Sequence, residues 1–421
     1  MRRILIVGAG QAGLQLALSL HAEDINVTLI SARTPDEIRN GWPLSTQAMF
    51  EPALALERAY RLNLWESQTP PLAGLHMTLR QPGEPATVHI RAPLESPGRS
   101  TDQRVKMAGW LQLCQERGVN VRYRAVNAHD LARLARSGDY DLTVVAAGKG
   151  EFARLFERDP ARSPFTEPQR ALAAVYVHGL QPDPGWPDSH VASHTVTGLG
   201  ELFLIPALAA AGPCDILFWS AVPGSPLDQW AAEPGQLDPS THLARTLALI
   251  RTYLPDVYQQ RCTTVELADA RASLHGRYVP TVRRPVAALP GGGFALGIGD
   301  VILANDPATG QGANTAARAA AHYLHAIVGR GEQPFDAAWA AETAEAFWTS
   351  HGRSVTNWTN LMLRPTPHVQ HLLHAAAQNP ATARRLAAGF ADPVTLDDWF
   401  TTPGPAHHYL ASLPGRPVTC P

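Results

Sequence analysis

The stretch MRRILIVGAGQAGLQLALSLHAEDINVTLISAR, Met1 to Arg33, decides the fold class. Ile4 to Val7 is a short apolar run without polar alternation, the pattern of a strand buried on both faces of a parallel sheet. Leu14, Ala17 and Leu18 then recur at helical spacing, and Asn26 to Ile30 reads as a second strand. Strand, glycine turn, helix, strand is the repeating unit of an α/β fold. Two arginines ahead of an apolar run also suit a secretory leader. Gly8 and Gly10 break that run, and a buried strand is the better reading.

The turn itself, Gly8-Ala9-Gly10-Gln11-Ala12-Gly13, has the spacing GxGxxG. Gly8 permits the tight turn, Gly10 lets backbone approach a pyrophosphate, and Gly13 lets the helix pack closely on the strand. Gln11 and Ala12 complete the loop, and the helix N-terminus offers N–H groups to phosphate. A tight turn with no ligand is the plain alternative. The acid that usually ends the second strand and holds a ribose is missing. Ser31-Ala32-Arg33 stands there, and Asp36 lies too far along. Ser31 and Arg33 are therefore expected at the adenosine end, and a nicotinamide cofactor is disfavoured.

Working outward, 421 residues with 45% hydrophobic and 17% charged side chains make an ordinary globular chain of two or three regions. A net charge of -2 leaves no basic excess for nucleic acid. Cys114, Cys214, Cys262 and Cys420 are scattered, with no CxxC pair and no histidine at ligand spacing. Idle thiols in a reducing cytoplasm and no metal are expected. Leu202 to Val222 is apolar but interrupted by Pro206, Gly212, Pro213 and Asp215, which reads as two strands and a turn and not as a membrane span.

Further parallel strands are expected at Leu142 to Ala146 and at Phe294 to Ile298. Leu72 to Ile90 and Leu172 to Val282 alternate apolar residues with turn signals, which predicts an inserted, mostly antiparallel sheet. The expected division gives 1–70, 98–165 and 287–335 to the nucleotide domain and 71–97 and 166–286 to the sheet domain. Residues 336–421 form an alanine-rich helical region with a loose tail from about Thr401.

The strongest stretch is Gly297-Ile298-Gly299-Asp300 followed by Asn305-Asp306-Pro307-Ala308-Thr309-Gly310-Gln311-Gly312-Ala313-Asn314. Asp300 at a strand end suits a sugar-like hydroxyl. Pro307 stiffens the loop, and Gly310 and Gly312 bring bare backbone close to a flat ring. Ala313 and Asn314 open a helix whose N–H groups stabilise negative charge. The alternative is an ordinary glycine loop capping a helix.

Seven stretches together resemble one family: GAGQAGL (Gly8–Leu14), VVAAGK (Val144–Lys149), SPFTEPQRAL (Ser163–Leu172), GELFLIP (Gly200–Pro206), GIGD (Gly297–Asp300), NDPATGQGAN (Asn305–Asn314) and NWTNL (Asn357–Leu361). Over most of residues 1–365 the chain resembles the FAD-dependent aromatic hydroxylases, and within them the styrene and indole monooxygenases. The resemblance implies an α/β protein with a Rossmann-like FAD-binding domain of the glutathione-reductase/p-hydroxybenzoate-hydroxylase type. It implies FAD delivered in reduced form by a separate NADH-dependent flavin reductase, and O2 as co-substrate. In the family a flavin C4a-hydroperoxide passes oxygen to a carbon–carbon double bond. A homodimer is expected from the family alone. Gly148 in VVAAGK joins the FAD set, and Arg104 matches an arginine near the ribityl and phosphates. A single dinucleotide fingerprint and the absent ribose acid agree with an exchanged flavin. No residue is assigned as acid or base, because the protein's task in such chemistry is positioning and exclusion of water.

The loop Gly41-Trp42-Pro43-Leu44-Ser45-Thr46-Gln47-Ala48-Met49-Phe50 bears on substrate. Ser45, Gln47 and Met49 match the Ser-x-Gln-x-Met of the indole-oxidising branch, where the styrene branch has Asn-x-Val-x-His. Leu72 and Leu75 fall where the indole branch is aliphatic, and Gly98 is placed in the same pocket. Gln47 suits an indole N–H and the apolar residues a flat slot, which styrene would also enter. Loop packing is the alternative. His76 and His194 read as structural, and Trp358 and Asn360 as packing for the C-terminal helices. The rivals are a self-sufficient NAD(P)H hydroxylase, a halogenase, and a non-catalytic FAD-binding protein. The halogenase Gly-x-Trp-x-Trp-x-Ile-Pro stretch is missing, and Gly185-Trp186-Pro187 does not match it.

Overall fold

Ile4, Leu5, Ile6 and Val7 are all buried, because their strand, Arg3–Val7, runs through the middle of a six-stranded sheet. The computed structural model describes residues 2–148, 150–186, 188–230, 235 and 237–413. Across the sheet the strands run Val286–Ala288, Phe294–Gly297, Leu142–Val145, Arg3–Val7, Asn26–Ser31 and Asn120–Tyr123. All neighbours are parallel except the first two. Both faces are covered, as a parallel sheet requires. Ile4, Ile6, Val27 and Leu29 pack with helices Gln11–Ala22, Gln103–Glu116 and Gly312–Gly329. Leu5, Val7 and Ile30 pack with Leu131 and Phe152 on the other side.

Thr281–Val282 pairs with Leu303–Ala304 as a separate two-stranded ribbon. Nine further strands form a second sheet in which Pro71–Arg80 pairs antiparallel with Val88–Ser100 and parallel with Val191–Val196. Its other long pair, Gly200–Ala209 with Gly212–Ala221, is the hairpin that the interrupted apolar stretch predicts. Pro206 is tolerated there because the next strand stops pairing at Leu204, so its missing N–H has no partner to lose. One face of this sheet carries Val175, Leu202 and Trp219 against helix Pro239–Tyr253, and the other carries Tyr176, Ile205 and Phe218.

The C-terminal region is helical from Ala337, and its apolar side closes over Leu75, Ile90 and Leu94 of the large sheet. The expected loose tail is partly replaced by a helix, Pro403–Ser412, that buries Ala406 and Leu410. Proline and glycine at its first turn are compatible with a helix start, which composition alone reads as loop. Residues 414–421, with Cys420, lie outside the described residues, as does Lys149. Cys114, Cys214 and Cys262 are buried free thiols whose pKa burial pushes up to about 12. No helix among the described residues is long and apolar enough to cross a membrane.

Candidate functional site

Where the first strand meets the first helix the chain has no room for side chains. Gly8 has φ +120°, and a Cβ on Gly13 would lie 2.0 Å from the Gly8 carbonyl oxygen. Gly10 differs, because a Cβ there would meet nothing within 4 Å. Its open side faces a cleft of about 440 Å3 at the ends of the parallel strands. Such strand ends are where α/β sheets bind ligands.

Among the segments that line the cleft are Gly8 to Ala12, Ser31 to Arg33, Ala146 to Gly148, Asp300, and Gly312 with Ala313. The two glycine motifs, nearly 300 residues apart in the chain, therefore meet. Their approach is tight, since a Cβ on Gly299 would lie 3.0 Å from the Ala12 Cβ, and one on Gly148 would lie 2.6 Å from the Asp300 Cβ. Helices Gln11–Ala22 and Gly312–Gly329 both start here. Neither has a side-chain cap or an acid in its first turn. Their leading N–H groups and positive dipole ends are left for an anionic ligand. Bare backbone, two uncapped helix starts and a carboxylate at a strand end fit a flavin dinucleotide.

Arg104 also lines the cleft but is not a surface arginine. Its guanidinium is held by Asp102 at 2.7 Å and by both oxygens of Asp269 at 3.1 and 2.8 Å, which ties the helix start to the large sheet. Asp36 is exposed, pairs with Arg39 at 2.7 Å and does not line the cleft.

The loop before helix Glu51–Ala59 is pinned by its backbone. Tyr176 donates to the Ser45 carbonyl at 2.9 Å and Ser100 to the Thr46 carbonyl at 2.7 Å. Asn314 donates to the Ala48 carbonyl at 3.0 Å and accepts from the Phe50 N–H at 2.8 Å. Between these pins sits Gln47, at φ +42° and only 4% exposed. Left-handed backbone is uncommon for such a residue. Neither Gln47 Oε1 nor Nε2 has a hydrogen-bond partner. Ser45 and Gln47 both line the cleft, and Gln47 also borders a second, small recess of about 20 Å3 beside Glu57, Thr101 and Lys106.

Several expected site residues lie off the cleft wall. Pro307 and Gly310 form the 3-10 turn and left-handed bend ahead of the second helix, with Gly310 at φ +66°. Asn314 spends its amide on the loop and on the Gly310 carbonyl at 2.9 Å. Met49 turns its sulfur to Lys106 Nζ at 3.0 Å. Leu72 and Leu75 are buried in two different apolar clusters, with a register shift between Leu72 and Gly74 that sequence spacing does not reveal. Gly98 lies opposite Leu72, where a Cβ would come 2.6 Å from the Met49 carbonyl. These residues back the Gln47 loop. Conversely, Ile38, Trp42, Leu44, Gln103 and Met107 line the cleft and were not expected there. Gln103 and Met107 are one helical turn apart and flank Arg104, a signal available from spacing.

Beneath the cleft a buried ion pair joins Lys106 to Glu57, and Gln11 donates to the same carboxylate at 2.9 Å. Burial lowers the Lys106 pKa while Glu57 opposes that shift.

The family model described as "Styrene monooxygenase A putative substrate binding domain" matches residues 148–260. The styrene monooxygenase StyA of Pseudomonas sp is 32% identical over 409 residues, 96% of each chain. The chain belongs to the styrene monooxygenase family. It is a flavin-dependent monooxygenase. The StyA of Pseudomonas fluorescens is 31% identical over the same share. Among solved structures the flavin-dependent brominase Bmp2 superposes with a TM-score of 0.66 over 97% of each chain at 14% identity, which speaks for the FAD-binding fold alone.

Proposed function

We propose that this styrene monooxygenase relative takes reduced FAD from a separate reductase and oxidises the double bond of a small aromatic substrate, with indole preferred over styrene. The observation that carries the preference is Gln47. A buried amide with both ends unpaired costs about 1–3 kcal/mol for each unmet group. The small recess beside it has room for about one water, which suits one end of the amide. The other end is left for a polar group in the cleft. Indole carries an N–H and styrene carries none.

When bound, reduced FAD would supply the two electrons that activate O2, from which one oxygen atom goes to the substrate and the other leaves as water. The chain's part is positional. The Gly8–Gly13 turn and the first helix hold the pyrophosphate, Ser31 and Arg33 the adenosine end, and Asp300 the ribityl. The Gly312 helix start, with Ala313, would serve the flavin end of the cleft. Ser45 and Gln47 orient the substrate, backed by Met49, Leu72, Leu75 and Gly98. Trp42, Leu44 and Met107 add apolar wall to the cleft.

The test uses purified chain with a flavin reductase, NADH, FAD and O2, offered indole and styrene separately. Indigo from indole is expected, with styrene oxide as the lesser product. Gln47→Leu is expected to lower indole turnover by roughly tenfold and to spare styrene, since one hydrogen bond in a buried site is worth that much. Styrene oxidation without indole oxidation overturns the preference. NADH consumption without the reductase supports the self-sufficient alternative, and peroxide without organic product the non-catalytic one.

A further inference from the structure

Outside the FAD cleft, three side chains that are scattered in sequence meet at the large sheet. His76 comes from strand Pro71–Arg80, where it alternates with the apolar Leu75 and Met77. Asp183 comes from the connection after strand Ala171–His178, and His190 stands just before strand Val191–Val196. None of the three lines the FAD cleft. Asp183 Oδ2 lies 2.9 Å from His76 Nδ1 and 3.5 Å from His190 Nε2. The three donor atoms lie within 4.8 Å of one another.

The protonation of His190 follows from its other nitrogen. Nδ1 sits 2.6 Å from the Asp188 carbonyl, which can only accept, so Nδ1 carries the hydrogen. In a neutral ring Nε2 then presents a lone pair. That lone pair is buried, makes no hydrogen bond, and faces a carboxylate oxygen. Two lone pairs facing each other away from water repel. A positive charge between them removes the conflict, as either a proton or a metal cation.

We infer that His76, Asp183 and His190 form a site for a divalent transition-metal ion of the Zn2+ class. A tetrahedral ion with bonds of about 2.0–2.2 Å holds neighbouring donors about 3.2–3.6 Å apart; the Asp183–His190 pair at 3.5 Å already meets this, and the Asp183–His76 pair at 2.9 Å would open slightly. Two imidazoles and one carboxylate are a donor set that zinc takes, with a fourth position for water. Two of the three ligands have the outer partners that a metal site uses. The second nitrogen of His190 is fixed by a backbone carbonyl, and Asp183 Oδ1 accepts from the Gly185 N–H at 2.8 Å. Trp186 stacks on the His190 ring at 4.7 Å and 12°. A Cβ on Gly74 would lie 2.2 Å from the Trp186 ring, so Gly74 makes room for this packing. The ion would fasten the connection carrying Asp183 and Trp186 to two strands of the sheet, a structural role separate from oxygen transfer.

The experiment uses untagged full-length protein with FAD present, treated with EDTA, desalted, and titrated with ZnCl2. Retention of about one Zn2+ per chain after gel filtration and a rise in Tm are expected. Asp183→Asn, which keeps size and acceptor but loses charge, and His190→Gln are each expected to weaken Zn2+ retention at least tenfold. Wild-type protein that retains no Zn2+ overturns the proposal. Retention by both variants equal to wild type overturns it as well, because the metal then sits elsewhere.

Discussion

Single atoms decide the FAD site. The missing Cβ of Gly148 lets Asp300 stand at the cleft, since a methyl there would come 2.6 Å from the Asp300 Cβ. If Asp300 accepts from the ribityl chain, its loss removes a charge-assisted hydrogen bond of about 1.5–3 kcal/mol, or roughly 10- to 150-fold in affinity. Asp300→Ala should therefore weaken FAD binding by that range in a flavin titration and lower activity with it. An unchanged titration removes Asp300 from the ribityl role. Gln47 is the complementary case. Its spacing to Ser45 and Met49 was readable, but its left-handed backbone and its two unpaired atoms were not. Those arise from pins on the neighbouring backbone that come from Tyr176, Ser100 and Asn314, all remote in sequence.

Elements matter through what they bring together. Helix Gln103–Glu116 sets Arg104 at the cleft and buries Lys106 against Glu57 of helix Glu51–Ala59. Gln11 of the first glycine turn holds the same carboxylate, so three elements share one buried charge pair. Removing one partner strands the other charge in the interior. Lys106→Met should cost about 3–5 kcal/mol in a denaturant melt. The double variant Lys106→Met/Glu57→Gln should recover most of the loss, because the glutamine still accepts from Gln11 without a charge. A single variant as stable as wild type contradicts the pairing. The element boundaries of the first βαβ unit follow from its periodicity, whereas the register shift at Leu72/Gly74 does not. A bulge is set by cross-strand partners, and a lone strand sequence carries no record of them.

The whole molecule sets the response to pH. His242 and His351 have both ring nitrogens buried without partners, and burial pushes each pKa from 6.5 down to about 3. The unfolded chain then binds protons that the folded chain refuses. Their contribution to stability is complete above pH 6.5 and is lost as pH falls from there toward about 3. Asp215 and Asp306 act oppositely. Burial raises each from 3.8 to about 6, so their contribution is complete below 3.8 and is lost as pH rises toward 6. Wild type should lose more Tm than His242→Leu/His351→Leu between pH 7 and pH 4.5, by an amount reflecting about 1.4 kcal/mol per pH unit per histidine. Parallel pH curves for the two proteins contradict this assignment.

By itself the sequence determined the α/β class, the glycine turn, the second flavin-type motif and the hairpin from Gly200 to Ala221. Each of these is local, because periodicity, turn chemistry and bare backbone act over a few residues. Only the tertiary structure decided that Met49, Leu72 and Leu75 back the loop and do not line the cleft. The same holds for Arg104, which bridges two layers, and for the meeting of His76, Asp183 and His190. Those outcomes depend on which side chains arrive from distant parts of the chain to claim the same space and the same hydrogen bonds.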